Sequence, residues 1–177
     1  MEKIIIQNRR SIRLKDYNYS SNGAYFLTIC VRNRECLLGK IENEQMILNE
    51  YGEIVKDIWE NLPNQVSDID LDEYVIMPNH FHAILVINKS DNSEYFDKNL
   101  DISDQKNRRK MILPKVVGRF KMLTAKVINQ NRKIEGSFWQ RNYYEHIIRN
   151  EEDFHQIREY IINNPMQWEL DENYPSL

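Results

Sequence analysis

Met77-Pro78-Asn79-His80-Phe81-His82-Ala83-Ile84-Leu85-Val86-Ile87 reads as a tight turn followed by a strand. Pro78-Asn79 is a turn pair, and the residues after it are rich in branched apolar side chains. Residues 69–77 supply a strand before the turn, so the two should pair antiparallel. Side chains alternate along a strand, which puts His80, His82, Ile84 and Val86 on one face and Phe81 in the opposite layer. Two imidazoles side by side can hold a divalent metal or a phosphate. A hydrogen-bonded surface pair accounts for them as well, and two ligands do not complete the shell of a cation.

Working outward, residues 24–34 read as a buried strand and 36–49 as a short hairpin. Asn49 can cap a helix beginning near Glu50, with Ile54, Val55, Ile58 and Leu62 at helical spacing and an end near Pro63. Beyond the HFH strand, residues 88–113 are polar, acidic first and basic afterwards, and read as a loop. Pro114 suits a first helical residue, followed by an apolar stripe of Val116, Val117, Phe120, Leu123, Thr124, Val127 and Ile128. Residues 138–148 read as the last core strand. Asn150, with Asp153 at the third helical position, starts a helix that runs to Asn164 before Pro165. The order is strand, helix, strand, strand, helix, strand, then a C-terminal helix. That is the α+β, ferredoxin-like βαββαβ plan: an antiparallel sheet with both core helices on one face. The other face is left to carry the histidines, with the last helix over it.

The chain has 177 residues, 41% hydrophobic and 29% charged, the profile of one globular domain. We divide it into a basic arm (1–23), a core (24–168) and a tail (169–177). No apolar run reaches the roughly 18–20 residues of a membrane span, and the basic N-terminus does not have the pattern of a signal peptide. Cys30 and Cys36 fit neither a disulfide framework nor paired zinc ligands, so a cytoplasmic setting is expected. The net charge of −3 hides a segregation: residues 106–133 hold ten Lys or Arg and no acid. A basic surface on an acidic body suits a polyanion, although a single run of charge also describes a solvated helix face.

Tyr160 and Asn164 lie four residues apart and share a helix face beside Phe154, Ile157 and Ile161. A phenol beside a cation held by imidazoles and an amide oxygen is an arrangement for phosphoryl transfer. From spacing alone, a packing tyrosine is the simpler account. His146 and His155 read as structural or surface residues. Tyr143 and Tyr144, adjacent in a strand, must face opposite ways.

Three segments together resemble the single-tyrosine HUH transposases, nearest to the branch of REP-associated tyrosine transposases. They are residues 77–86 (MPNHFHAILV), 138–154 (FWQRNYYEHIIRNEEDF) and 160–168 (YIINNPMQW), in the order of the family. The resemblance implies that His80 and His82 bind Mg²⁺ or Mn²⁺ and that Tyr160 is the nucleophile. The position four residues after it, here Asn164, would complete the metal site, although related transposases tend to carry Gln there. It implies cleavage and rejoining of single-stranded, hairpin-forming DNA through a 5′-phosphotyrosine. Gln156 and Asn164 stand one turn either side of Tyr160, so one nucleophile is expected. Arg9, Arg10, Arg13, Lys115, Arg119, Lys121, Lys126 and Arg141 are the expected phosphate contacts, with Trp139 or Tyr144 stacking on bases. The protein would act as a monomer or a homodimer, without a membrane. The rival readings are a non-catalytic nucleic-acid-binding module on the same scaffold, and a metal-dependent hydrolase that uses water.

Overall fold

In the computed structural model, which describes residues 17–89, 109–133 and 136–175 together with Leu14 and Asn107, the Pro78-Asn79 turn closes as expected. The Met77 N–H donates to His80 O at 2.8 Å, folding β4 (Ile69–Ile76) onto β5 (His80–Ile87). Ahead of them come β1 (Gly23–Cys30), the hairpin β2 (Gly39–Glu42) and β3 (Gln45–Leu48), and α1 (Glu50–Glu60). After them come α2 (Ile112–Arg132), β6 (Tyr144–Ile148), α3 (Glu151–Asn163) and a 3-10 segment, Asn164–Leu170. The main sheet runs β4-β5-β1-β6, antiparallel at every pairing, which is the ferredoxin-like order.

The period of two sorts the sheet residues into two layers. Tyr25, Leu27, Ile29, Phe81, Ala83, Leu85 and Ile87 enter the large core with Val55, Trp59, Val117 and Phe120 of α1 and α2. Phe26 and Ile84 point the other way and form a smaller cluster with Ile148 and Ile161, against which Phe154 and Ile157 of α3 pack. Tyr143 packs on the first layer and Tyr144 on the second, as adjacent strand residues must. The histidine face therefore lies under α3.

Local chemistry sets the helix ends. Asn49 Oδ1 accepts from Tyr51 N and Gly52 N at 2.9 and 3.0 Å, and Asn150 Oδ1 accepts from Asp153 N at 2.8 Å. α3 is also tied sideways to the sheet. A bulge between Leu71 and Tyr74 turns Asp72 toward Arg158, and the two make a paired hydrogen-bonded salt bridge. Arg158 lies two residues before Tyr160, so this contact helps fix the depth and rotation of the helix that carries it.

Several boundaries differ from expectation. β1 ends at Cys30, since Asn33 and Arg34 adopt left-handed backbone (φ 58° and 55°) that no strand can continue. α2 begins at Ile112, so Pro114 falls at its third position. Its first amides are met from the N-terminal stretch: Ile112 N donates to Ser20 Oγ at 3.0 Å and Leu113 N to Tyr19 O at 3.1 Å. Tyr19 and Ser20 are thus buried parts of the core rather than of an arm. The last strand is also shorter than residues 138–148. Trp139 makes only an isolated bridge to Val31, and β6 starts at Tyr144.

Candidate metal centre and nucleophile

His80 and His82 lie on one face of β5 with ring centroids 4.5 Å apart, both essentially inaccessible to solvent. Each has one nitrogen engaged by the protein. His80 Nδ1 meets Asn79 Oδ1 at 2.8 Å, and His82 Nδ1 lies 2.9 Å from Thr28 Oγ1. The Nε2 atoms point inward, that of His80 toward Asp171 Oδ2 and that of His82 toward the Tyr160 hydroxyl.

Tyr160 arrives from α3 in the same chain. Its hydroxyl is 3.3 Å from His82 Nε2 and 3.5 Å from Asp171 Oδ2, and its ring packs edge-on against Phe26. Asn164, one turn further on, is 2% exposed and donates from Nδ2 to Asp171 Oδ2 at 3.3 Å. The expected trio of His80, His82 and Asn164 therefore meets around Tyr160.

Asp171, placed in the tail by its sequence position, joins them. One ligand atom from each of His80, His82 and Asp171 lies within 4.8 Å of the others, close to the span of donors gathered on one cation. Its side chain is 3% exposed, and Oδ2 sits 3.8 Å from His80 Nε2. That distance would be an ion pair if the imidazole were charged. Burial, with the Arg34 charge adding to it, instead pushes His80 down to about 3, so at neutral pH two acceptors face each other. His80 Nε2 and Asn164 Oδ1 are both buried without a hydrogen-bond partner. Two unpartnered acceptors, a second imidazole nitrogen and a carboxylate converging on one point fit a divalent cation.

The same burial displaces the other groups. His82 is held well below its ordinary value, by burial first and the neighbouring His80 second. The Tyr160 phenol is pushed up, by burial first and then by the Asp171 carboxylate, while a hydrogen bond from Asn164 works the other way. Without a compensating positive charge, this phenol stays protonated.

A pH prediction follows from the histidines. A group depressed on folding contributes stability above its unfolded value, near 6.5, and loses it as the pH falls toward the folded value of about 3. Metal-free protein should lose about 2 kcal/mol from His80 alone between about pH 6.5 and 5, with His82 acting in the same direction. Chemical denaturation at about pH 7 and 5 measures it, and equal stabilities at both would contradict the burial argument.

The expected nucleic-acid contacts divide. Arg9, Arg10 and Arg13 lie outside the described residues. Lys115, Arg119 and Lys126 are exposed on α2, in the layer on the opposite side of the sheet from the histidines, and Arg119 donates twice to Gln65 Oε1. Lys121 Nζ donates to the Gln140 and Arg141 carbonyls at 2.6 and 3.0 Å, fixing the loop that borders Cys30 at the histidine end of the sheet. Exposed Arg141 lies in that same loop.

Trp139 is a correction: it is 2% exposed, donates from Nε1 to Thr124 Oγ1 at 2.7 Å and packs on Phe120, so it has no face to offer a base. Trp139→Ala should destabilise the fold by about 3–5 kcal/mol, as a core aromatic does. A thermal midpoint within a degree or two of wild type would return Trp139 to the surface. His146 is bonded to Asp153 at 2.9 Å, in keeping with a structural role.

Among known proteins, one from Haemophilus influenzae is 47% identical over 175 residues, covering 96% of this chain and 94% of its own length, and is itself uncharacterised. A second from the same organism, assigned by name alone to the REP-associated tyrosine transposases, is 27% identical over 150 residues, covering 85% of this chain and 74% of its own. The solved structure of a REP-associated tyrosine transposase bound to a REP hairpin superposes with a TM-score of 0.52 at 19% identity, over 93% of this chain and 74% of that one. No family model matches. The chain has the fold of that transposase. No helix among the described residues is long and apolar enough to cross a membrane.

Proposed function

We propose that the protein is a transposase-type DNA strand transferase. It cleaves and rejoins single-stranded, hairpin-forming DNA, with Tyr160 as nucleophile beside a Mg²⁺ or Mn²⁺ ion. The observation that carries this reading is the meeting of the hydroxyl of Tyr160, itself 42% exposed, with two inward imidazole nitrogens, an unpartnered amide oxygen and a carboxylate that are all buried. His80, His82, Asn164 and Asp171 would hold the ion. When bound, it offsets charge on the scissile phosphate and eases loss of the phenolic proton.

The remaining steps belong to the chain and the DNA. Tyr160 Oη attacks phosphorus, forming a P–O bond to the phenol as the P–O3′ bond breaks. The phenolic proton is lost and the departing 3′ oxygen gains one, leaving a 5′-phosphotyrosine and a free 3′-OH. In the second step another 3′-OH attacks the adduct, the P–O bond to Tyr160 breaks and the phenol regains a proton. One phosphodiester is exchanged for another, so no nucleotide hydrolysis is needed. One chain supplies the nucleophile and all four ligands, so a monomer suffices for a single cleavage. The hairpin bound by the solved transposase of the same fold supports hairpin-forming DNA as substrate. Exposed Arg141, in the loop that Lys121 fixes, lies at the same end of the sheet as the site and is suited to the flanking phosphates.

The test is incubation of labelled single-stranded hairpin DNA with the protein and Mn²⁺. A protein–DNA adduct that survives denaturation is expected, with the label retained only when it is carried by the downstream fragment. Cleavage without an adduct at any time would favour a hydrolase using water. Binding without cleavage would favour a non-catalytic module.

A further inference from the structure

The segment before the histidines does more than turn the chain. Asn79 is fully buried, and its amide group and peptide carbonyl are all engaged. Its Nδ2 donates to Arg34 O at 3.1 Å and to Asn173 O at 2.7 Å, its Oδ1 faces His80 Nδ1 at 2.8 Å, and its own carbonyl accepts from Val31 N at 2.8 Å. The two carbonyl partners settle which end of the amide points where. Carbonyls only accept, so the NH₂ group must face them and the oxygen must face the imidazole. An amide oxygen also only accepts, so His80 carries its hydrogen on Nδ1 and leaves Nε2 as a lone pair.

The second contact reaches the other side of the site. Asn173, whose carbonyl Asn79 holds, donates its own N–H to Asp171 Oδ1 at 2.6 Å. One amide therefore connects the imidazole on β5 with the turn that presents the carboxylate. We propose that Asn79 is a positioning residue of the cation centre, holding His80 in its Nδ1–H tautomer and anchoring the turn that delivers Asp171. This rests on the cation reading given above. A merely structural asparagine would need the two donated bonds but not the oxygen on His80. Aspartate at this position would keep an oxygen for His80 and lose both donors.

The tautomer is read directly in ¹⁵N-labelled, metal-free wild-type protein by long-range proton–nitrogen NMR. The expected pattern for His80 is a protonated Nδ1 and a bare Nε2. This measurement needs no variant, so it stands even if Asn79→Ala does not fold. Binding of Mn²⁺ alone is then titrated. Asn79→Ala is expected to weaken it about 10–100-fold, the usual effect of removing a group that orients a ligand. Asn79→Asp is expected to keep the His80 tautomer and still lose about tenfold, through the loosened Asp171 turn. A protonated Nε2 in wild-type protein that binds Mn²⁺ would overturn this proposal alone, as would a folded Asn79→Ala with Mn²⁺ affinity within about twofold of wild type. Absence of Mn²⁺ binding by the wild type would instead overturn the cation reading, and this proposal with it.

Discussion

Tyr160→Phe should form no covalent adduct and should lower strand cleavage by at least about 10⁴-fold, the scale of removing a nucleophile. Its Mn²⁺ affinity and thermal midpoint should stay near wild type. The substitution removes one oxygen. The ring keeps its edge-on packing with Phe26 and His82, and the packing of α3 rests on Ile161, Phe154 and Ile157 rather than on the hydroxyl. The hydroxyl's hydrogen bonds, at 3.3 Å to His82 and 3.5 Å to Asp171, are long, so their removal costs little stability. Denaturing gels with end-labelled hairpin DNA, run beside Mn²⁺ titrations, separate chemistry from binding. Adduct surviving in Tyr160→Phe would sink the assignment. Tyr144 would then be the first rival, because it lies on the same face of the sheet.

What could be read in the chain was whatever repeats. A period of two put His80 and His82 together and sent Phe81 to the other layer, and a spacing of four put Asn164 beside Tyr160. Turn and cap residues fixed the hairpin at Pro78-Asn79 and the starts of α1 and α3. The failures have a common cause in contacts without a period. Asp171 follows a 3-10 segment beyond Pro165, where no repeat says which way a side chain faces. Its place is set by Asn79 and by Arg34 Nη1, which donates to the Glu172 carbonyl at 2.9 Å. Trp139 has the sequence setting of a strand residue with a free face. The chain breaks there instead, and a buried Thr124 on α2 takes its indole hydrogen. Thr124 within an otherwise apolar stripe was the available signal, since a buried hydroxyl needs a partner. The basic run was legible as a helix face. Its layer followed from the same topology that placed both core helices opposite the histidines, which takes Lys115, Arg119 and Lys126 away from the centre.

Asp171 gives the second large effect. Asp171→Ala should weaken Mn²⁺ binding about 100-fold, or about 2.8 kcal/mol at 1.4 kcal/mol per tenfold. Cleavage at limiting Mn²⁺ should fall in proportion and recover in part as the metal is raised. Asn164→Ala should cost nearer tenfold. The ranking follows from charge. Asp171 brings the carboxylate to a point otherwise supplied by two neutral imidazoles and a neutral amide, so it contributes most of the field that draws in a divalent ion. Its removal also frees the Asn164 amide from its bond to Oδ2, which lets that side chain turn and blurs the second ligand as well. Asp171→Asn separates the two effects, because it keeps the shape and a hydrogen-bonding end while deleting the charge. If charge governs, Asp171→Asn should bind Mn²⁺ almost as weakly as Asp171→Ala; if geometry governs, it should bind nearly as well as wild type. A larger loss in Asn164→Ala than in Asp171→Ala would instead make the helix residue the principal oxygen ligand and reduce Asp171 to its support.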